Sequence, residues 1–314
     1  MKNDNKNNYK IIFWGTSYFG AKILESLVFA GFSPILVVTT PESKKGRGLQ
    51  KSPSEVKKMA KKWGLEVIEP IKLKENEEFL SYIKQLNPDV FIIASYGKII
   101  PAEYLVIPSK GAINIHPSLL PKWRGPSPIQ TAILNGDKKT GVTIMLVDEK
   151  MDHGAILNKA ELEIKNSNFK KLEENLIEIA SQLLIETLPQ WLKGKIKPIP
   201  QNHKKATYSK IIKKEDGLID FKKSAEVIER KIRAFEVWPN VYFQRKEKIY
   251  KILEADVFKN KKILAEKKVG EFFCFDKKLI VKCGKEGLII KKIQPENKKP
   301  MDGYSFWCGY QNKL

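Results

Sequence analysis

Asn114 and His116 stand two residues apart in an otherwise apolar run, within Gly111-Ala-Ile-Asn-Ile-His-Pro-Ser-Leu-Leu-Pro-Lys-Trp-Arg-Gly-Pro126. Strand side chains two positions apart share a face. Both polar groups therefore project together near the end of a buried strand. Asn offers an N–H donor, and His offers a donor or an acid. Together they suit an oxyanion developing on a carbonyl. A lone buried His is ordinarily a satisfied core residue. Two polar residues on one face, followed at once by a Pro-rich turn, favour a site. A second stretch, Gly141-Val-Thr-Ile-Met-Leu-Val-Asp-Glu-Lys-Met-Asp-His-Gly154, leads an apolar strand into a loop with Asp148, Asp152 and His153. A carboxylate beside His116 would fix the orientation of its ring. Asp also caps turns readily, and spacing alone leaves Asp148 and Asp152 both open.

Other patterns narrow the chemistry. Three histidines make a His-based metal centre improbable. The turn Gly15-Thr-Ser-Tyr-Phe-Gly20 lacks the middle glycine of a dinucleotide fingerprint, and no GxxxxGK[ST] loop occurs, so neither a nicotinamide nor a P-loop site is expected. Three cysteines, Cys274, Cys283 and Cys308, include no CxxC pair and fit a reducing cytoplasm. The chain has five arginines against 52 lysines. A retained Arg hints at a need for its planar fork. Arg47, between Gly46 and Gly48, is the most suggestive, because an exposed Arg at a loop tip can follow a phosphate or stack on a base. Arg124 reads equally as a surface charge, and Ser118–Pro121 as a connector.

The elements that must hold these groups follow from periodicity. Lys10–Trp14, Pro34–Val38, Glu66–Ile68, Val90–Ala94, Ala112–His116 and Gly141–Val147 read as strands. They alternate with helical stretches at 21–30, 54–63 and 75–85. Near-continuous apolar strands alternating with helices indicate an α/β, Rossmann-like domain with a mostly parallel sheet. Ser52-Pro53-Ser54-Glu55 reads as a capping box with Ser52 at the N-cap. That makes residues 40–51 a 12-residue loop at the ligand-binding edge of the sheet. A long amphipathic helix spans Phe169–Leu192. The organisation expected is a catalytic domain over 1–192, a linker over 193–206 and a second domain over 207–314. In the second domain, a helix at Ala225–Phe235 precedes short strands at 241–243, 249–257, 270–275, 279–283 and 287–293, which suggests a small OB-like β-barrel.

Composition sets the outer limits. The hydrophobic fraction of 42% supports a sizeable core and excludes wholesale disorder. No apolar run approaches the ~20 residues that span a bilayer. The first nine residues read as a short disordered arm rather than a signal or transit peptide. The formal net charge is +21. Residues 201–314 carry +13 of it and residues 1–200 only +8. A lysine-rich coding bias would spread the excess more evenly. The basic second half therefore points to a polyanion, and nucleic acid rather than a membrane, since no amphipathic anchor accompanies the charge.

Asn114-Ile-His116 with Ser118-Leu-Leu-Pro-Lys-Trp-Arg-Gly125, and the later Asp152-His-Gly154, resemble the signature of the folate-dependent formyltransferases. The likeness extends in order through Lys45-Gly-Arg-Gly48, Ser95-Tyr-Gly97, Ala206-Thr-Tyr208, Lys214-Glu-Asp-Gly217, Arg233-Ala-Phe235 and Trp238-Pro239. It is similar to the branch whose acceptor is the methionyl initiator tRNA. The resemblance covers about residues 10–250 well and the remainder loosely. It implies a Rossmann-like catalytic domain followed by an OB-like domain. It also implies formyl transfer from 10-formyltetrahydrofolate to the α-amino group of the charged initiator tRNA, for translation initiation, with no metal. Asn114 and His116 would stabilise the oxyanion of the tetrahedral adduct, and Asp152 would orient His116 and relay the proton through a water. The donor would contact Ser118, Leu119, Leu120 and Pro121, with Tyr96 and Ile100 lining the pterin pocket. The tRNA would meet Lys44, Lys45, Arg47 and Lys51. A cytoplasmic monomer, with no membrane partner, is expected. Ser17-Tyr18-Phe19 and Asn240-Val241 depart from the family's pattern. Two alternatives remain: a formyltransferase acting on a small amine, such as a glycinamide ribonucleotide or an amino-sugar nucleotide, and a non-catalytic tRNA- or RNA-binding protein of the same fold.

Overall fold

The structure, a computed structural model, describes residues 9–45 and 50–311. In chain order its elements are β1 (Ile11–Gly15), α1 (Tyr18–Phe29), β2 (Leu36–Val38), β3 (Ser43–Lys45), β4 (Gln50–Ser52), α2 (Glu55–Lys62), β5 (Val67–Ile68), α3 (Glu77–Leu86), β6 (Val90–Ala94), α4 (Ala102–Leu105), β7 (Ala112–His116), α5 (Pro128–Asn135), β8 (Lys139–Leu146), β9 (Ile156–Glu163) and α6 (Phe169–Leu192). Then follow α7 (Ala225–Ala234), β10 (Val241–Arg245), β11 (Lys248–Phe258), α8 (Lys261–Ala265), β12 (Phe272–Phe275), β13 (Lys278–Lys282), β14 (Gly287–Pro295), β15 (Met301–Asp302) and α9 (Gly303–Tyr310). The chain divides into two compact units. One comprises Met1–Pro128, Lys139–Glu163 and Glu173–Ser209; the other comprises Ile129–Lys138, Ile164–Leu172 and Lys210–Leu314.

The first unit is built on a seven-stranded sheet in the order β5-β2-β1-β6-β7-β8-β9. Pairs from β5 to β7 are parallel, while β7–β8 and β8–β9 are antiparallel. This is the α/β, mostly parallel fold expected. The central strands β1 and β6 are buried at every position, as a sheet covered on both faces requires. Trp14 is fully buried and packs on Phe79, Phe91, Tyr96 and Tyr104 at centroid distances of 5.3–6.3 Å. The edge strand β9, absent from the expected strand set, alternates half-buried and exposed positions over most of its length.

The start of α2 differs from expectation. Its N-cap is Ser54, whose Oγ accepts from Lys57 N–H at 2.9 Å and bonds Thr39 Oγ1 at 2.7 Å. Pro53 restricts Ser52 to extended backbone, so Ser52 closes β4 instead of capping. The buried Thr39 partner, 15 residues away, decides between two serines that local pattern cannot separate. The expected loop 40–51 is partly a hairpin. β3 and β4 pair Ser43 with Ser52, Lys44 with Lys51 and Lys45 with Gln50. Arg47 lies outside the described residues.

Residues 193–206 carry structure of their own within the first unit. Ile199 bridges Ile156 in antiparallel fashion, and Gln201 is buried.

The second unit holds an antiparallel sheet in the order β10-β11-β14-β13-β12, with β15 added to β14. Among the described residues no pairing of β10 with β12 closes it, so the expected barrel is seen as an open antiparallel sheet. Phe243, Tyr250, Leu279, Ile290, Ile293 and Phe306 are among its buried residues, while Ile280 points to the other face and packs with Leu264 and Phe273. Three of the five retained arginines serve the backbone here. Arg230 Nε donates to Leu134 O at 3.2 Å, Arg233 Nη1 to Ser167 O at 2.8 Å and Arg245 Nη2 to Gly270 O at 3.0 Å.

Candidate active site

β7 is held by β6 on one side and β8 on the other, with Asn114 opposite Ile93 and Met145, and His116 opposite Thr143. Asn114 is half-buried, and His116 is only 4% exposed. Asp152, on the connection between β8 and β9, sits over the face of β7 that carries both. Its Oδ1 accepts from Asn114 Nδ2 at 3.3 Å and lies 3.6 Å from His116 Nδ1. Its Oδ2 accepts from the Gly125 N–H at 2.7 Å. His116 Nε2 lies 3.0 Å from the Trp123 carbonyl, which can only accept, so Nε2 carries a proton and Nδ1 faces the carboxylate. Asp152 itself adopts a positive φ of 49°, a conformation uncommon for a side chain other than Gly, Asn or Asp.

The choice the spacing left open is thus made by geometry. Asp148 is engaged elsewhere: Oδ2 meets His153 Nδ1 at 2.7 Å, and Oδ1 accepts from Lys150 N–H at 3.0 Å. The structure brings Asn114, His116 and Asp152 together. Arg124, read as a possible surface charge, is instead buried at 2% exposure, with Nη2 donating to Gln201 Oε1 at 2.7 Å.

The residues that the resemblance assigns to the donor divide into two groups. Ser118 is fully buried. Its hydroxyl donates to Lys122 O at 2.6 Å, and its carbonyl accepts from Thr143 Oγ1 at 2.7 Å. Thr143 in turn accepts from Leu120 N–H at 3.1 Å. Leu119 is half-buried against Gly141, and the Leu120–Pro121 bond is cis. This turn is therefore tied to β8 directly opposite His116. Tyr96 and Ile100 pack with the cluster around Trp14. Burial holds the Tyr96 phenol well above its ordinary range, and its hydroxyl has no hydrogen-bond partner among the described residues. A cleft of about 410 Å³ lies nearby in sequence terms, lined by Leu105, Val106, Val147, Asp148, Lys150 and His153 among others. Lys44, Lys45 and Lys51 belong to the β3–β4 hairpin by backbone; their side chains, like Arg47, lie outside what is described. Among the described residues no group of three or more His, Cys, Asp or Glu side chains is placed to hold a metal ion.

Sequence reasoning missed the Gly125 N–H, the Trp123 carbonyl and Gln201. Backbone groups leave no trace in residue type, and Gln201 joins the site from far along the chain. The retained Arg124 was the one available signal.

Comparison with known proteins bears on the same residues. The formyl transferase family matches residues 9–188, and the formyl transferase C-terminal domain matches residues 211–311. The methionyl-tRNA formyltransferase of Sulfurihydrogenibium sp. is 40% identical over 308 residues, spanning 97% of this chain and 98% of that protein. That of Caldanaerobacter subterraneus is 39% identical over 302 residues, spanning 96% and 97%. The N-formyltransferase from Helicobacter canadensis, solved with folinic acid and dTDP-3-aminofucose, superposes with a TM-score of 0.66 at 20% identity, covering 90% of this chain and 98% of that one. HypX from Aquifex aeolicus gives 0.66 at 16% identity, covering 98% of this chain and 48% of its own. These two structural likenesses speak to the fold alone. The sequence matches extend over nearly the whole length of both proteins: the chain belongs to the formyl transferase family and, within it, to the methionyl-tRNA formyltransferases.

Proposed function

We propose that this chain transfers the formyl group of 10-formyltetrahydrofolate to the α-amino group of methionyl initiator tRNA, for translation initiation. The convergence of Asn114, His116 and Asp152 on one face of β7 carries this reading. The amine nitrogen attacks the formyl carbon, and the carbonyl oxygen gains the charge. The Asn114 amide, which keeps a second N–H beyond the one given to Asp152, and the His116 ring stabilise that oxyanion. Asp152 holds both donors. Through a water, it takes the proton from the attacking nitrogen and returns it to the folate nitrogen as the old C–N bond breaks. Anchoring of Asp152 Oδ2 by Gly125 keeps the carboxylate aimed during this exchange. The turn Ser118–Pro121, with Tyr96 and Ile100, holds the donor. Lys44, Lys45, Arg47 and Lys51 meet the acceptor stem. The enzyme acts as a cytoplasmic monomer; no helix among the described residues is long and apolar enough to cross a membrane.

An acceptor amine on a nucleotide sugar is the competing reading. The +13 charge of residues 201–314 favours the tRNA. The test is a transfer assay with 10-formyltetrahydrofolate and charged initiator tRNA, set against uncharged tRNA and an amino-sugar nucleotide. Formylation of charged tRNA alone is expected. Turnover of the sugar nucleotide with none of the tRNA would sink the assignment.

A further inference from the structure

Asp152 is held at both ends by one peptide segment. Gly125 N–H reaches its carboxylate, and the neighbouring Arg124 reaches its backbone through Gln201. The Gln201 amide spends both halves on this. Nε2 donates to Asp152 O at 3.0 Å and to Gly154 O at 2.8 Å. Oε1 accepts from Arg124 Nε at 3.2 Å and Nη2 at 2.7 Å. Gln201 is 5% exposed and Arg124 2%, so water does not compete for these bonds. Arg124 is itself fixed: its N–H donates to Thr207 O at 2.9 Å, its carbonyl accepts from Ser209 N–H at 2.7 Å, and Nη2 also meets His203 Nδ1 at 2.9 Å. The loop they hold is closely packed: Asp152 has a positive φ, which Asp tolerates, and a side chain at Gly154 would run into the Leu146 carbonyl.

We propose that Gln201 and Arg124 are positioning residues, a clamp that sets the Asp152 carboxylate against Asn114 and His116 and acts on formyl transfer only through Asp152. The requirement is specific. Only a primary amide presents a planar pair of donors to two carbonyls and an acceptor to a guanidinium. A carboxylate at 201 would face the Asp152 and Gly154 carbonyls with lone pairs. A lysine at 124 loses the two-pronged grip on Oε1. The inference rests on the reading that Asp152 serves the transfer step.

The test is a double-mutant cycle in the full chain, with kcat and KM measured in the steady state. Gln201→Ala is expected to lower kcat about 10–100-fold, with KM for tRNA and folate within about twofold. In an Asp152→Ala background the same change should cost no more than about twofold, because the target of the clamp is already gone. An equal loss in both backgrounds would overturn the clamp and leave Gln201 a general structural residue. Near-normal turnover by Asp152→Ala alone would instead sink the reading of Asp152, a separate outcome. Should Gln201→Ala fail to give a cooperative thermal transition, the isosteric Gln201→Glu and Arg124→Lys carry the same cycle with the same expectations.

Discussion

The face of β7 and the surface of the second unit use polar residues in opposite ways. At β7 every side chain is committed. Asn114, His116, Asp152, Arg124 and Gln201 each meet named partners between 2.7 and 3.6 Å, and most are buried. In the second unit Lys259, Lys278 and Lys291 are 44–66% exposed and pair with Glu226, Asp276 and Asp256. Exposed pairs of that kind contribute ~0–1 kcal/mol each. The first arrangement fixes where a proton and a charge go. The second sets a field that needs no fixed geometry, because counterion release from a polyanion depends on charge count. Lys can therefore replace Arg almost everywhere except where a fork is required, as at Arg124 and at the Arg233–Glu229 pair, bonded at 2.6 and 3.1 Å.

This contrast can be broken most sharply at its precise end. Asn114→Ala, His116→Ala and Asp152→Ala are each expected to lower kcat by about 10²–10⁴-fold. Initiator tRNA affinity by filter binding should stay within about twofold. A parallel loss of tRNA binding would mean that the two regions are not separable. Arg47→Ala sharpens the boundary between them. It should reduce kcat/KM for charged tRNA by about tenfold, a loss of ~1.4 kcal/mol, while folate KM is unchanged. A folate defect would place the hairpin with the donor instead. Neutralising exposed lysines of the second unit one at a time, Lys278→Gln for instance, should leave kcat intact. It should flatten the salt dependence of tRNA affinity by at most one unit of slope for each phosphate contact removed.

The smallest effect lies outside both patterns. Burial, reinforced by Glu174, raises the Glu173 carboxyl to about 7. A group whose folded pKa is raised favours folding while protonated. Its contribution is present below the unfolded value near 4.5 and is lost as pH climbs to about 7. Glu173→Gln should therefore leave Tm unchanged at pH 4 and raise it at pH 8. An equal Tm change at both pH values would rule out this titration as the cause.

Much of the first region could be read before folding was considered. The runs that became β1, β6 and β7 are apolar enough to be buried on both faces, and the alternation Ile113-Asn-Ile-His116 places both polar groups on one side. The choice of Asp152 over Asp148 came from the family resemblance and could not be read from spacing, because it depends on a left-handed turn that returns the loop over β7. Nor could the cap at Ser54 be read, since Thr39 selects it. Gln201 was passed over inside a stretch whose lysines and prolines looked like a linker. β9 was missed because its alternation is that of a solvent-facing edge, weaker than the apolar runs beside it. In the second unit the antiparallel strands were legible from their turns, but whether a sheet closes depends on long-range pairing that no local pattern reports.

The bonds around Arg124 also bear on the order in which the molecule is made. Every strand of the first unit's main sheet ends by Glu163, so that sheet can pair as soon as β9 has emerged during synthesis. The groups that grip Arg124 arrive later: Gln201 is 77 residues further on, and Ser209 is 85. Closing loops of that length costs entropy that only the finished contacts offset. A nascent chain thus acquires its scaffold first and a competent Asp152 last, once the segment through Ser209 has cleared the ribosome.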